Sequence, residues 1–376
     1  MSEWKSTTLS EIAEFSQGIQ VDIDQQFNLM TEGRVRFIRI VDFTKGSKDD
    51  IRYIMNPGER YQVEPDDLVM IRYGSQTAGK IARGFKGVIA NNTFKITPKS
   101  NSQTNKNYLY YFLTQNEVYE FFKLMNASST MPAITFGMAG SLDILLPPLL
   151  EQESIAEVLS SLDDKIDLLH RNNNTLEQLA ETLFRQWFLE NDDQENGKLG
   201  NIIDIFDNKR VPLSSTYREK MKTGILYPYY GAATIMDYVN DYIFDDDYLL
   251  LGEDGTVQTE EGYPVLQRAL GKCWINNHTH VIKGISPYNN NFLYILLKNT
   301  SISHIVTGAV QPKINQGNLK DLEVVIPPKE AVKNYCEIID PLFDKYFKNI
   351  VQIQKLETLR DTLLPKLMSG VVRVQN

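Results

Sequence analysis

Two long segments of the chain place hydrophobic residues at alternating steps of four and three positions. In the first segment these seam positions are Ile155, Leu159, Leu162, Ile166, Leu169, Asn173, Leu176, Ala180, Leu183 and Trp187. In the second they are Tyr335, Ile339, Leu342, Tyr346, Asn349, Ile353, Leu356, Arg360, Leu363 and Leu367. This spacing is typical of helices that pack on each other in a coiled coil. It predicts two long, paired helices; two amphipathic helices on separate domains are the alternative.

One asparagine interrupts each seam, and its position indicates how the helices run. Asn173 is the sixth seam position of the first helix and Asn349 is the fifth of the second, so an antiparallel pairing brings their amides together. A buried seam asparagine fixes the register of a coiled coil. Pro365 is expected to end the second helix because proline lacks the backbone N–H of a helix interior. A helix of about 35 residues spans roughly 50 Å.

The two segments belong to an internal repeat. A shift of 180 positions lays residues 132–187 on residues 312–367 without a gap. The matching pairs include Ile134 and Ile314, Gly137 and Gly317, Leu142 and Leu322, Leu162 and Leu342, and Leu176 and Leu356. Further upstream, small slips align Asn91-Asn92 with Asn276-Asn277. The chain is therefore a tandem duplication, and each copy ends in a long helix.

The part of each copy before its helix is rich in predicted strands. The runs IRYIM, DLVMIRY, VIANNTFKI, YLLLGED and THVIKGI combine β-branched and aromatic residues between turn formers. One helix is expected near residues 106–125, with a shorter counterpart from Asn291. We therefore predict an α+β protein with a pseudo-twofold repeat. Its two mixed, strand-rich domains cover residues 1–148 and 191–329, and its antiparallel spacer helices cover 149–190 and 330–376.

Charge and composition narrow the class of protein. The net charge is −9, and all of it comes from residues 149–197, so both strand-rich domains are close to neutral. They lack the basic footprint usual for nucleic-acid binders, so charge alone does not favour a DNA-binding role. The N-terminal sequence has no signal-peptide pattern, no apolar run is long enough to span a membrane, and only two cysteines occur. These features favour the cytoplasm.

The helical segments carry a resemblance to a known family. The run PPLLEQESIAEVLSSLDDKIDLLHRNNNTLEQLAETLFRQWF resembles the central conserved region of type I restriction–modification specificity subunits. The run that begins PPKEAVKNYCEIIDPLFDKYFKN is similar to the C-terminal partner of that region. In the second domain, ILYPYYGAATIMDYVNDYIF and YLLLGEDG are typical of one group of target-recognition domains in this family.

The resemblance implies a DNA-binding protein without catalytic activity of its own. Each strand-rich domain would be a target-recognition domain that reads one half of a split site in double-stranded DNA. The helices would hold the domains apart and dock two methyltransferase subunits and the restriction (motor) subunits. Those partners would bind S-adenosylmethionine, ATP and magnesium, and this chain would bind no cofactor.

In the first domain, the candidate DNA contacts surround the loop GSQTAGK at residues 74–80. The loop almost matches a phosphate-binding P-loop, but Ile81 stands where a serine or threonine must hold magnesium. We therefore interpret it as a polar loop against DNA. Basic side chains flank the loop, and a solvated basic face is the alternative interpretation of them. An asparagine pair can contact adenine, although such pairs are also common in ordinary turns. The candidates are Arg34, Arg36, Arg72, Tyr73, Ser75, Gln76, Thr77, Lys80, Arg83, Asn91 and Asn92.

In the second domain, the sequence GEDG at residues 252–255 occupies the place of that loop. A carboxylate there can accept a hydrogen bond from cytosine N4, and a solvated turn is the competing interpretation. Tyr229 and Tyr230, which precede Gly231, can stack on a base or contact a groove of DNA, although ordinary packing explains them equally well. The candidates are Tyr229, Tyr230, Glu253, Asp254, Arg268, Asn276, Asn277, Gln311 and Lys313.

Catalytic motifs do not emerge from the sequence. An amino-methyltransferase resembles its family through an Asp or Asn before a proline pair, but here Leu146 and Ile326 precede the pairs. His278 and His280 alternate on one predicted strand face, and without a visible third ligand they do not indicate zinc. A self-sufficient DNA methyltransferase with unrecognised motifs is the alternative function. A structural coiled-coil adaptor is a third, although it leaves two large, diverged domains unexplained.

Overall fold

A computed structural model of the chain describes residues 4–44, 50–125, 133–190, 195–308 and 310–374. The chain divides into two compact units. Unit 1 is Met1–Leu168 with Ile353–Asn376, and unit 2 is Leu169–Gln352. Both units combine sheets with helices, which confirms the predicted α+β class. The boundary between the units lies inside both long helices, so each unit contains one strand-rich domain and part of each helix.

The first segment of unit 1 begins with short strands and turns and runs into the first long helix, and its second segment contains the end of the other long helix. Its strands are β1 (Lys5–Thr8), β2 (Ala13–Gln17), β3 (Arg34–Ile38), β4 (Arg52–Met55), β5 (Gln62–Val63), β6 (Leu68–Ile71), β7 (Ile81–Ala82), β8 (Gly87–Ile89), β9 (Thr93–Pro98) and β10 (Asp143–Leu146). Its helices are α1 (Leu9–Ile12), α2 (Ile40–Thr44), α3 (Lys106–Leu113), α4 (Asn116–Met125), α5 (Phe136–Gly140) and the start of α6 (Leu149–Phe184).

The sheets of unit 1 are small and mixed. Two four-stranded sheets have the orders β2-β9-β6-β7 and β4-β3-β8-β5, and β1 pairs with β10. The β3–β8 pair is parallel and the other pairs are antiparallel. The main core joins the first of these sheets to α3, α4 and the ends of both long helices, and includes Phe94, Tyr108, Phe122, Ile155 and Leu367. The single helix expected over residues 106–125 is divided into α3 and α4 at Thr114 and Gln115.

Unit 2 repeats the plan with a larger sheet. Its strands are β11 (Asn196–Lys198), β12 (Ile203–Ile205), β13 (Tyr227–Tyr230), β14 (Ile235–Val239), β15 (Phe244–Gly252), β16 (Leu266–Ile275), β17 (Thr279–Gly284) and β18 (Glu323–Val325). Its helices are α7 (Ser215–Lys220), α8 (Asn290–Lys298), α9 (Gln316–Asp321) and the start of α10 (Lys329–Met368). A six-stranded sheet has the order β12-β17-β15-β16-β13-β14, and β11 pairs with β18.

The core of unit 2 lies between this sheet, α8 and the two long helices. Phe184, Phe188, Phe292 and Tyr335 are buried there with their rings in mutual contact. The Tyr335 hydroxyl donates a hydrogen bond of 2.8 Å to the carbonyl oxygen of Ala180, which ties α10 to α6. The seam residue Tyr335 therefore joins the two helices to each other and, through the rings of Phe188 and Phe292, to the domain.

The long helices run antiparallel in unit 2. Asn349 Nδ2 donates a hydrogen bond of 2.8 Å to Asn173 Oδ1, and Tyr335 contacts Ala180. Residue numbers therefore increase along α6 in the direction in which they decrease along α10. This confirms the predicted pairing of the two asparagines. In unit 1, Arg360 of α10 forms an ion pair of 2.9 Å with Asp163 of α6.

All twenty predicted seam positions are buried or half-buried, as a packed seam requires. The prediction that Pro365 ends the second helix is wrong, because α10 continues to Met368. Proline removes the N–H of its own position, but its carbonyl still accepts a bond of 3.0 Å from the N–H of Ser369. Among the described residues, no helix is both long enough and apolar enough to cross a membrane.

Candidate nucleic-acid interface

The same backbone arrangement occurs at one edge of each domain. In the first domain, the N–H of Arg72, just after β6, donates to the carbonyl of Asn92 at 2.9 Å. The carbonyl of Arg72 in turn accepts a bond of 2.9 Å from the N–H of Ile134. Tyr73 forms an antiparallel bridge with Ala133. Three separate loops therefore meet at the end of β6.

The second domain repeats these bonds at the end of β15. The N–H of Glu253 donates to the carbonyl of His278 at 2.9 Å, and its carbonyl accepts from Ile314 at 2.8 Å. The backbones of Asp254 and Lys313 form an antiparallel β-bridge, as those of Tyr73 and Ala133 do in the first domain. We call this arrangement the loop edge: residues 72–80, 91–92 and 133–134 in the first domain, and residues 253–255, 276–278 and 311–314 in the second.

A glycine follows in both copies of the loop edge. Gly74 has φ +113° and Gly255 has φ +81°, a backbone region in which residues with a Cβ are strained. Each glycine lets the chain turn away directly after its strand. The turn is thus shared by the two copies although the neighbouring side chains differ.

The ladders beside the loop edge correct the alignment of the two asparagine pairs. Thr93 lies opposite Ile71 in the first domain, and Thr279 lies opposite Gly252 in the second. Counting back one residue from each threonine matches Asn92 with His278, and counting back two matches Asn91 with Asn277. The sequence alignment of Asn91-Asn92 with Asn276-Asn277 was therefore wrong by one residue.

Several of the predicted contacts in the first domain lie on an accessible polar surface. Ser75, Gln76 and Lys80 are exposed, and Arg72, Tyr73 and Thr77 are half-buried. The Thr77 hydroxyl donates to the carbonyl of Tyr73 at 2.9 Å and closes the loop on itself. The loop leads into β7 instead of a helix, so it has no helix N-terminus for a phosphate. This geometry supports a polar binding loop and not a P-loop.

The asparagine pair lies beside this loop. Asn91 and Asn92 are half-buried, and exposed Gln17 donates a long bond of 3.5 Å to the carbonyl of Asn91. Within the described part of the chain, Arg72 Nε and Asn92 Oδ1 have no hydrogen-bond partner. Both atoms are shielded from solvent, so a bidentate contact to a purine edge requires Asn92 to turn its amide outward and Arg72 to use its terminal nitrogens.

Three of the predicted basic contacts are engaged within the domain. The Arg36 guanidinium pairs with Asp42 at 3.1 Å. Arg34 stacks on Phe27 at 3.5 Å and donates to a loop carbonyl, and Arg83 lies 3.8 Å from the ring of Tyr110. These contacts give the three arginines a structural role, because a guanidinium that reaches DNA must leave its partner. The sequence could not show this, since the partners lie on other segments.

In the second domain, a network of charged groups lies beneath the loop edge. Arg210 donates to Glu253 Oε2 at 2.7 Å, and Lys313 Nζ lies 3.5 Å from the other oxygen. Asp207 Oδ2 lies 2.6 Å from His280 Nδ1 and also accepts a bond from Gln316. Glu253 is thus ion-paired within the domain, so its predicted role as an acceptor for cytosine competes with these two partners.

The Asp207 carboxyl is the best-connected group of this network. Burial by itself raises the pKa of Asp207, but hydrogen bonding and charge from His280 act in the opposite direction. Bonds from the N–H of Val281 and from Gln316 lower the pKa further, and the net result lies below the ordinary value. Asp207 is therefore held in its charged form under the loop edge.

Within the described residues, Asp207, Glu253 and His280 place possible metal-ligand atoms within 4.8 Å of one another. Their ligand atoms already have partners, however. His280 Nε2 lies 2.8 Å from the carbonyl oxygen of Ile314, and its Nδ1 contacts Asp207. A cation here would also face the Arg210 guanidinium. The contacts are those of a buried ion-pair network and do not support a metal site.

The outer surface of this loop edge carries the accessible candidates. Asn277, Gln311 and Lys313 are exposed. Asp254 is mostly covered, and its Oδ1 lies 2.7 Å from Nδ1 of His278, whose side chain is 49% exposed. His278 lies in the turn before β17, whereas His280 is fully buried within the strand. The two histidines therefore do not share an environment, which corrects the expectation that they line one face.

Four predicted contacts of the second domain lie in its interior instead. Tyr229 and Tyr230 are buried in the sheet, and the Tyr229 hydroxyl accepts a bond from the N–H of Leu213. Asn276 is 3% exposed, and its side chain caps the turn by accepting from the N–H of His278. Arg268 forms two bonds to Asp247, at 3.1 and 2.5 Å. Packing and turn formation account for these four residues, so their position does not support the predicted DNA contacts.

Three residues at the loop edges were absent from the predicted set. Arg210 lies under the second loop edge, Gln17 lies beside Asn91, and His278 lies exposed next to Asp254. In the sequence, the spacing of His278 and His280 raises the question of a zinc site and not of a DNA contact. The repeat contained the signal for His278, but a slip of one residue concealed it. Nothing in the local sequence marks Arg210 or Gln17.

A duplicated α+β domain, each copy with a polar loop edge and a long helix, defines a modular recognition protein. A family model described as the type I restriction modification DNA specificity domain matches residues 1–178 and 191–358. The chain therefore belongs to the family of type I restriction–modification specificity subunits.

Named relatives agree with this assignment. The chain is 26% identical over 299 residues to the type I restriction enzyme MjaIX specificity subunit of Methanocaldococcus jannaschii, a match that covers 71% of this chain and 69% of the relative. It is 22% identical to the HindI specificity subunit of Haemophilus influenzae over 99% of this chain and 100% of the relative. The crystal structure of a type I S subunit from M. genitalium has the same fold, with a TM-score of 0.62, 17% identity and coverage of 97% and 96%.

Proposed function

We propose that this chain reads a bipartite DNA target, with one half-site for each domain. The observation that carries the proposal is the repeated loop edge. Its backbone hydrogen bonds and its glycine recur in both domains, while Arg72, Tyr73 and Asn92 are replaced by Glu253, Asp254 and His278. A constant backbone with exchanged polar side chains is the arrangement expected when two copies recognise different base sequences.

The side chains of the two edges fit different chemistry. Arginine and asparagine in the first domain match the acceptors of guanine and the donor–acceptor pair of adenine in the major groove. In the second domain, the glutamate is neutralised internally, and histidine, asparagine, glutamine and lysine remain accessible. Two different half-sites follow from this difference.

We further propose that the chain acts as a platform and does not catalyse. It docks two methyltransferase subunits and the restriction (motor) subunits, which hold S-adenosylmethionine, ATP and magnesium. The domains are close to neutral, so phosphate contacts by these partners account for much of the affinity for DNA. The acidic segment 149–197 then faces a protein partner and does not need to attract phosphate.

Methyl transfer with purified components tests this division of roles. The chain alone, incubated with labelled S-adenosylmethionine and DNA, is expected to transfer no label. Addition of the methyltransferase subunits is expected to label adenine within one bipartite motif. Transfer by the lone chain would support the alternative, a self-sufficient methyltransferase. Equal labelling of DNA with and without the motif would contradict sequence reading.

A further inference from the structure

In the second loop edge, Asp254 determines which nitrogen of His278 donates a hydrogen bond and which accepts one. His278 Nδ1 lies 2.7 Å from Asp254 Oδ1. An ionised carboxylate only accepts hydrogen bonds, so the proton of a neutral ring lies on Nδ1. Nε2 then carries the lone pair. Within residues 195–308 and 310–374, Nε2 has no hydrogen-bond partner, and the side chain is 49% exposed.

Bonds on the surrounding loops hold the backbones of both residues in place. The carbonyl of His278 accepts from Glu253, and its N–H donates to the side chain of Asn276. Asp254 bridges Lys313 through the backbone, and Arg210 donates to the carbonyl of Asn277. Because the ring is fixed by Asp254 on loops that are themselves tied together, Nε2 is a positioned acceptor and not a freely rotating group.

The first domain shows which residue type takes this position in the other copy. Asn92 occupies the place of His278, and asparagine both donates and accepts toward an adenine edge. A neutral histidine whose Nδ1–H donates to Asp254 can only accept a hydrogen bond through Nε2. In the major groove, the exocyclic amino groups of adenine N6 and cytosine N4 are the donors, whereas guanine and thymine present oxygen acceptors.

We propose that His278 reads the second half-site by accepting a hydrogen bond from an exocyclic amino group of adenine or cytosine, and that Asp254 orients it. This rests on the proposed function, in which the second loop edge faces DNA. His278 is then a specificity-determining residue and Asp254 a positioning residue. Neither role follows from the family match, which covers the domain as a whole.

The test uses the complex of this chain with its methyltransferase subunits and a duplex that carries the motif mapped from methylated adenines. Exchange of residues 191–329 for another member's second domain first identifies the half-site concerned. Within that half-site, each adenine is replaced by purine and each cytosine by 2-pyrimidinone, which removes one amino group at a time. Binding to each duplex is measured in the same buffer for the wild type and for every variant.

For the wild-type complex, one of these analogues is expected to weaken binding about tenfold. In His278→Ala the same analogue is expected to cause no further loss. His278→Gln keeps an acceptor and should restore part of the discrimination, and Asp254→Asn should reduce it. His304→Ala, another exposed histidine of unit 2 that lines a cavity with Phe184 and Leu189, is the control. Thermal unfolding of each variant confirms that the domain is intact.

The possible failures are distinguishable. If every analogue weakens His278→Ala as much as the wild type, His278 does not read an amino group and the proposal is overturned. The proposed function still stands in that case if the domain exchange changed one half-site. If the exchange leaves the methylated motif unchanged, the second domain does not read DNA, and both proposals fail together. The analogue that weakens binding of the wild type but not of His278→Ala shows whether His278 contacts adenine or cytosine.

Discussion

Asn349 donates a hydrogen bond of 2.8 Å to Asn173 across the two long helices, and both side chains are buried. Asn173 Nδ2 also donates to the carbonyl of Tyr346 at 3.3 Å. Asn349 Oδ1 has no hydrogen-bond partner among the described residues, so the pair is satisfied on one side only. An amide pair with one unpaired oxygen is a costly feature in a mostly apolar seam, and the property that it provides is a fixed register.

Removal of one asparagine is expected to destabilise the protein more than removal of both. Asn173→Leu leaves the Asn349 amide buried without its acceptor, at a cost of about 1–3 kcal/mol in the free energy of unfolding. Asn173→Leu with Asn349→Leu replaces both polar groups by apolar ones and should restore most of the loss. Urea denaturation measures all three proteins.

Asn172→Leu is the matched control for this pair, because Asn172 is the exposed neighbour of Asn173 on the same helix. It should change the free energy of unfolding by less than about 0.5 kcal/mol. Asn349→Leu alone completes the comparison: if the double variant lost, relative to wild type, the sum of the two single-variant losses, the two amides would act independently and the pairing argument would be wrong.

Sequence reasoning succeeded where a signal depends on period and order. The four–three spacing and the positions of Asn173 and Asn349 in the two seams were enough to predict an antiparallel pair in the correct register. Both properties are set along a single helix and can be counted. The strands β6, β15 and β17 were likewise marked by their own residue types and by the turn formers at their ends.

The candidate site was harder to predict because its chemistry depends on cross-strand partners. Arg268 resembled a free cation in the sequence, but the antiparallel β15–β16 pairing brings it to Asp247. Glu253 resembled a free carboxylate, but Arg210, 43 positions earlier, neutralises it. No local pattern records such pairs. An offset of one residue between the copies was also enough to exchange buried Asn276 for exposed His278.

The network under the second loop edge predicts a dependence of stability on pH. Because the pKa of Asp207 is lowered in the folded protein, its charged form stabilises the fold above the unfolded pKa of about 3.9. That stability is lost as the pH falls through the lower, folded value. Asp207→Asn should therefore reduce the free energy of unfolding at pH 7, and the difference from wild type should shrink below about pH 4.

Denaturation of both proteins at pH 7, 5 and 3 measures this difference. Asp204→Asn, at an exposed position on β12, is the control and should show no comparable change. A difference between Asp207→Asn and wild type that stayed constant down to pH 3 would show that the charge of Asp207 does not contribute.

Charge reversal at the first loop edge is expected to weaken DNA binding without dissolving the complex. Arg72 and Lys80 lie on the accessible loop, and no ion pair engages either side chain within the described residues. Arg72→Glu with Lys80→Glu should lower affinity and reduce the dependence of log K on log salt by about one for each phosphate that is no longer neutralised. Filter binding or fluorescence anisotropy at several salt concentrations gives both quantities.

Lys123→Glu provides the comparison, since Lys123 is an exposed lysine on α4 that already pairs with Glu120. It should leave the salt dependence unchanged. Equal affinity of the loop variant and the wild type at moderate salt would show that this loop does not face DNA.

Substitution of Arg268 tests whether this residue of the second domain stabilises the fold or contacts DNA. Its side chain is 8% exposed and is engaged by Asp247, Asn291 and the ring of Phe347. Arg268→Leu leaves the Asp247 carboxylate without its partner, so we expect a lower melting temperature. The methylated motif should remain the same, because the guanidinium does not reach the surface. A changed motif with unchanged stability would return Arg268 to the interface.

The claim that each domain reads its own half-site is tested most directly by mapping methylated adenines after a domain exchange. Cells that carry the methyltransferase genes receive this chain with residues 1–148 replaced by the first domain of another family member. Long-read sequencing then gives the methylated motif. The two-reader account predicts that one half of the motif changes while the other half is retained. Simultaneous change of both halves, or an unchanged motif, would contradict it.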